Sequence, residues 1–259
     1  MPTEGTESTL EIQEADGTVV RTYATKPKDG QQKLTLKEGV NEIRWTMGYE
    51  GAVTFPGMVL WGGGTGGPSA VPGMFKAVLK IGEDQHAMDF EIKKDPRASS
   101  TVADLQAQHD FIAETRDKLS ETHKGIKKIR DVRSQISALE KRLKGQGDDY
   151  KDLVKQAGAI SKKLTTIEEA LYQTKNRSGQ DPLNFPIRLN NRLSGVIGAA
   201  STGDFGPTQQ AIAVRDEIAA LIDVQLEKLA TIMDKDVADF NKAVEAGKVP
   251  AIFLPVEKE

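Results

Sequence analysis

One change of rhythm governs this sequence. Near Asp95-Pro96-Arg97 its apolar residues stop recurring at every second position and begin recurring every three to four. A period of two suits a pleated strand and a period near 3.6 suits a helix, so the two halves call for different architectures. At roughly 150 residues per domain, 259 residues allow one large unit or two small ones. The change of period favours two, 1–96 and 97–259.

In the first part, Thr9 to Gln13 alternates, Asp16-Gly17 supplies a tight hairpin turn, and Val19 to Tyr23 resumes. Leu34 and Leu36 alternate with polar residues, Gly39 breaks the chain, and Ile43 and Trp45 share a face of the next strand. Phe75, Ala77, Leu79 and Ile81 form one face of a clear strand. Gly82-Glu83-Asp84 turns the chain, and Met88, Phe90 and Ile92 alternate on the return. Such strands predict a small antiparallel β-sandwich, for which about seven strands are expected against about six countable here. One edge is therefore missing or supplied by another chain.

After Ser99-Ser100 the pattern is helical. Thr101 and Asp104 have the spacing of a capping box, and Leu105, Ile112, Leu119 and Ile126 recur every seven residues. Ile129, Val132, Ile136, Leu139 and Leu143 extend the stripe, predicting a helix of about 43 residues, ~65 Å long. Gly145-Gln146-Gly147 ends it, and Asp148 or Asp149 caps a second helix carrying Leu153, Ala157, Ile160, Leu164, Ile167 and Leu171. Asp181-Pro182 caps a third helix that runs through Leu189, Leu193, Val196 and Ile197, and its glycines and alanines imply close packing. Pro207 opens a fourth, which Gly247 stops. The apolar tail 249–255 is expected to dock on the protein. Short loops between long helices predict a three- to four-helix antiparallel bundle.

Chemistry is scarce. With 35 Lys+Arg against 38 Asp+Glu the net charge is -3, which excludes a generic nucleic-acid binder. The absence of cysteine removes disulfides, thiolate metal sites and a cysteine nucleophile. The run Gly62 to Pro68 lacks the lysine and hydroxyl pair of a phosphate loop and reads as a sandwich loop. Glu83 and His86 have the spacing of a di-iron helical motif but fall on a strand turn, where that spacing does not share a face. His109 and His123 lack a second ligand at helical spacing and are expected at the boundary or surface of the first helix. His123 to Arg130 reads as a solvated basic face. Asp148-Asp149 and Glu168-Glu169 are adjacent, so on a helix they diverge and form no acid/base pair. No serine lies in a nucleophile elbow. The expected catalytic, cofactor-binding and metal-binding sets are all empty.

Two sets of residues carry a resemblance. Leu10-Glu11-Ile12, Asp16 to Thr22, Gly39 to Trp45 and Val71 to Phe75 resemble the immunoglobulin-like module of flagellar-hook capping proteins and secreted-protein tails. Here Phe75 replaces the usual tyrosine and no Asp follows Trp45. Lys94 to Arg97, Asp104 to Gln108, Arg116 to Ser120 and above all Asp181 to Asn191 resemble the C-terminal region of bacterial exported proteins. Those proteins carry a sortilin-type or BNR-repeat propeller and are often labelled glycosyl hydrolases. The propeller is absent from this chain, so no catalytic residue carries over.

The resemblance implies an immunoglobulin-like sandwich followed by the helical bundle, in a periplasmic or extracellular setting. The N-terminus shows neither a basic nor an apolar segment of a signal peptide. Its longest apolar runs, such as 218–222, fall far short of the ~20 residues of a membrane span, so a soluble chain without its own membrane segment is expected. The expected role is a non-catalytic accessory or assembly subunit whose partner is a β-propeller protein or an envelope complex. The alternatives are the C-terminal part of a propeller hydrolase, or a carbohydrate-binding module using Trp45, Trp61 or Tyr49.

Overall fold

The computed structural model describes residues 6–28, 30–146 and 148–251. Strands β1 (Ser8–Glu14), β2 (Val19–Ala24), β3 (Gln32–Lys33), β4 (Gly73–Ile81) and β5 (Asp84–Ile92) come first in the chain. Helices α1 (Val102–Lys144), α2 (Lys151–Leu171), α3 (Leu189–Ala200), α4 (Gln209–Thr231) and α5 (Ala238–Ala246) follow, with a π-helical segment, Ile232–Val237, joining α4 to α5. None of these helices is long and apolar enough to cross a membrane.

The described residues divide into two compact units that interleave in sequence. Among the described residues, one comprises 6–54, 62–120 and 193–215; the other comprises 55–61, 121–192 and 216–251.

The first unit holds a five-stranded sheet in the order β3-β2-β1-β4-β5. It is mixed: β3 pairs parallel to β2, and every other pair is antiparallel. Gly17 (φ +92°) and Gly82 (φ +59°) occupy the left-handed positions that the β1–β2 and β4–β5 turns need, which L side chains adopt only with strain. Asp16 secures the first turn by accepting the Thr18 amide at 2.8 Å.

The second sheet of the expected sandwich does not form among the described residues. Residues 34–72 contribute only an isolated bridge, Gly48 to Ser69, and neither Leu34–Leu36 nor Ile43–Trp45 is a strand. Glycines at 48, 51, 57, 62–64, 66 and 67 and prolines at 56 and 68 cut 48–68 into runs of four residues or fewer, so the segment offers 40–47 no partner strand. The apolar residues pack nevertheless. Trp45 sits 5.8 Å from Phe75 and 6.2 Å from Phe90 between ring centroids, and joins Tyr49 and Ala70 against the buried Ile12, Val20 and Phe75. A loop layer covers this face.

The helices follow their sequence signals closely. Thr101 Oγ1 accepts the Asp104 amide at 3.1 Å and Asp104 Oδ2 accepts the Thr101 amide at 2.8 Å, the reciprocal bonds of a capping box. The Thr101 hydroxyl, which donates to Asp104 Oδ2 at 2.7 Å, and then the Thr101 amide hold the Asp104 carboxyl below its ordinary value. On α2 all six predicted stripe residues are buried.

Two boundaries differ, and the expected fourth helix is divided into α4 and α5 by the π-helical segment Ile232–Val237. The N-cap of α2 is Tyr150 without a side-chain cap bond, in place of Asp148 or Asp149. Asp181–Leu183 forms only a short 3-10 turn, and α3 begins at Leu189, because Pro186 disfavours helical backbone just before it and donates no amide. Of the terminator Gly145-Gln146-Gly147, Gly147 lies outside the described residues, as do residues 252–255 of the apolar tail. Ala251 accepts a bond from Arg142 at 2.7 Å.

Candidate functional site

Among the described residues no group of three or more histidine, cysteine or carboxylate side chains is placed to hold a metal ion. His86 is exposed on β5 and pairs across to Leu79. His109 lies half-buried on α1, where Nδ1 is 2.8 Å from the Ser69 carbonyl and the ring packs edge-on to Tyr49. His123 corrects the expectation of a boundary or surface residue. It is fully buried, with Phe55 edge-on at 5.3 Å and Asn190 Nδ2 3.2 Å from Nε2.

The candidate sugar-binding aromatics separate. Trp45 and Tyr49 belong to the sheet core, where Trp45 Nε1 donates to the Gly48 carbonyl at 3.0 Å and the Tyr49 hydroxyl donates to Glu14. Burial first, and then the Glu14 carboxylate, push the Tyr49 phenol well above its ordinary range. Only Trp61 presents an exposed ring, and its backbone is clamped at both polar groups by Asn191, at 2.7 and 2.8 Å.

The glycine run serves packing. A Cβ on Gly63 would meet Ser194 Oγ at 2.2 Å, and Ser194 itself donates to the Gly64 carbonyl at 2.9 Å. The distinctive 181–191 run is likewise structural. Asp181 accepts the amides of Arg177 and Ser178, which lower its carboxyl pKa, while Asn190 and Asn191 hold His123 and Trp61.

Two features have capacity for a partner. The first is β5, nine residues long at one end of the sheet, with no strand on its outer side among the described residues. Residues 84–89 are exposed throughout, and Met88 keeps 69% of its surface open.

The second is a cleft of about 460 Å³ in the second unit, lined by residues that include Arg130, Arg133, Glu168, Tyr172, Asn176 and Arg177. Glu168 is 1% exposed, yet its neighbour Glu169 faces solvent, the divergence expected of adjacent helical residues. Arg130 Nε donates to Glu168 Oε1 at 2.7 Å, and Arg133 Nη1 lies 2.8 Å from Oε2. The Arg130 guanidinium also lies over the rings of Phe55 (4.6 Å) and Tyr172 (5.4 Å). This corrects the reading of Arg130 as part of a solvated basic face, although Lys124 and Lys128 are exposed as expected.

The available signal was Glu168 itself. It lies on the buried stripe of α2 beside Leu164, Ile167 and Leu171. A carboxylate in that position demands a cation from another element.

Neither family models, curated proteins nor solved structures provide a match to the chain.

Proposed function

We propose that this chain is a non-catalytic accessory or assembly subunit that works by protein–protein contacts outside the cytoplasm, with β5 as the receiving element. The observation that carries this reading is the outer edge of β5, unpaired among the described residues, nine residues long and largely exposed. An open strand edge offers a row of unpaired amides and carbonyls, and an extended segment of another protein completes it by strand addition. On this reading the sheet is one layer of an immunoglobulin-like module that its partner completes, and the helices form the antiparallel bundle that carries it. The extracytoplasmic setting rests on the resemblance of 181–191 to exported propeller proteins, whose propeller would be a natural partner.

Met88→Lys tests this reading, because a lysine on an exposed edge opposes strand addition without touching the core. The unsubstituted chain purified from its native source is expected to elute with a partner in fixed proportion. Met88→Lys is expected to elute alone with its helical circular dichroism unchanged. If both elute as lone monomers, or if the purified chain cleaves glycosides, the reading is wrong.

A further inference from the structure

We infer that the cleft of the second unit recognises a carboxylate-bearing peptide segment. Three guanidinium groups, Arg130, Arg133 and Arg177, line it against one carboxylate, Glu168. The lining itself thus carries three positive charges against one negative, with the Asp181 carboxylate, outside the lining, near enough to Arg177 to feel its charge.

The arginines also have donors to spare. Each guanidinium carries five N–H groups. Arg133 Nη1 donates to Thr165 Oγ1 at 3.0 Å and lies 2.8 Å from Glu168 Oε2 as an ion pair. Arg177 reaches the carbonyls of Thr174 and Asn176, at 3.2 and 3.4 Å, through the same Nη1. Their remaining N–H groups have no acceptor among the described residues, and such forks match the two oxygens of a carboxylate.

A second, independent observation selects the kind of ligand. Asn176 is 5% exposed and lines the same cleft, yet its Oδ1 has no hydrogen-bond partner. A buried acceptor left unpaired is costly, so the cleft lacks a donor as well as an anion. A peptide supplies both, with a carboxylate for the guanidinium groups and a backbone N–H for Asn176 Oδ1. A fully deprotonated oxyanion such as sulfate supplies only the first. A cleft of this volume lies within the range of small-ligand and short-segment sites. The peptide class of the ligand rests on the protein-contact reading above; the anion preference stands on the cleft alone.

The test uses the full chain and fluorescein-labelled hexaglutamate, followed by fluorescence anisotropy. Saturable binding is expected, with no binding of labelled hexaglutamine. Arg133→Gln and Arg177→Gln should each weaken it roughly tenfold, the loss of one charge-assisted hydrogen bond. Lys128→Gln, on the exposed face of α1, should leave it unchanged. Arg177 is exposed, so its variant keeps the fold even if Arg133→Gln does not.

The inference is overturned if hexaglutamate fails to saturate, or if Lys128→Gln weakens it as much as the arginine variants do. It is also overturned if inorganic phosphate displaces hexaglutamate at equal concentration, since that marks a simple oxyanion site. Loss of hexaglutamate binding with the Met88-dependent partner retained refutes this inference alone. The reverse result refutes the strand-edge reading alone.

Discussion

Glu168→Ala is expected to lower the unfolding free energy by about 3 kcal/mol, seen as a reduced denaturant midpoint at unchanged slope. Glu168 is 1% exposed and pairs with both Arg130 and Arg133. Removing one partner of a buried pair strands the opposite charge, which typically costs about 3–5 kcal/mol. The lower end applies because the two arginine side chains are 33% and 32% exposed and regain water readily. Arg130 also keeps its place over Phe55 and Tyr172, which limits the disorder that follows. Glu168→Gln keeps an acceptor for Arg130 Nε and should cost about half as much. A loss below about 1 kcal/mol for Glu168→Ala would put the cluster in the class of surface ion pairs and contradict its buried role.

A comparable loss, about 3 kcal/mol, is expected for Gly67→Ala, at the upper end of overpacking effects. A Cβ at this position would lie 2.3 Å from the Glu50 carbonyl oxygen and 2.7 Å from that of Tyr49. Both obstacles are backbone, so no side chain can rotate away to make room. The segments they belong to are tied together by the Tyr49 amide to Pro68 (2.9 Å) and the Ala52 amide to Thr65 (2.7 Å). Relieving the clash therefore means opening the loop layer over the sheet. Gly66→Ala is the control: nothing lies within 4 Å of its Cβ and its φ is not in the left-handed region. Thermal unfolding should separate the two neighbours clearly, and equal melting temperatures would remove the close-approach explanation.

The parts of the fold that were legible in the sequence are those set by local rules. The period of α2 located each of Leu153, Ala157, Ile160, Leu164, Ile167 and Leu171 inside, because a helix has one buried stripe and six apolar residues occupy it. Thr101 and Asp104 marked the start of α1 because both capping bonds lie within four residues.

What stayed hidden depends on distant residues. Trp45 alternates with Ile43 as in a strand, yet strand formation needs a partner of matching length, and the glycines and prolines of 48–68 deny it one. His123 looked like a boundary residue because its burial depends on Phe55 and Asn190, each 67 or 68 positions away. The cleft was invisible for the same reason. Arg130 and Arg133 lie three apart on α1, but their meaning comes from Glu168 on α2, 38 positions from Arg130.

The central claim is that β5 receives a strand from another protein, and a photo-crosslinking residue placed at Met88 in the native host tests it most directly. Val214, 46% exposed on α4, provides the control position. One discrete adduct is expected at position 88, mapped by mass spectrometry to an extended segment of a single partner, and none at 214. No adduct at position 88, or the same mixture of adducts at both positions, would contradict it.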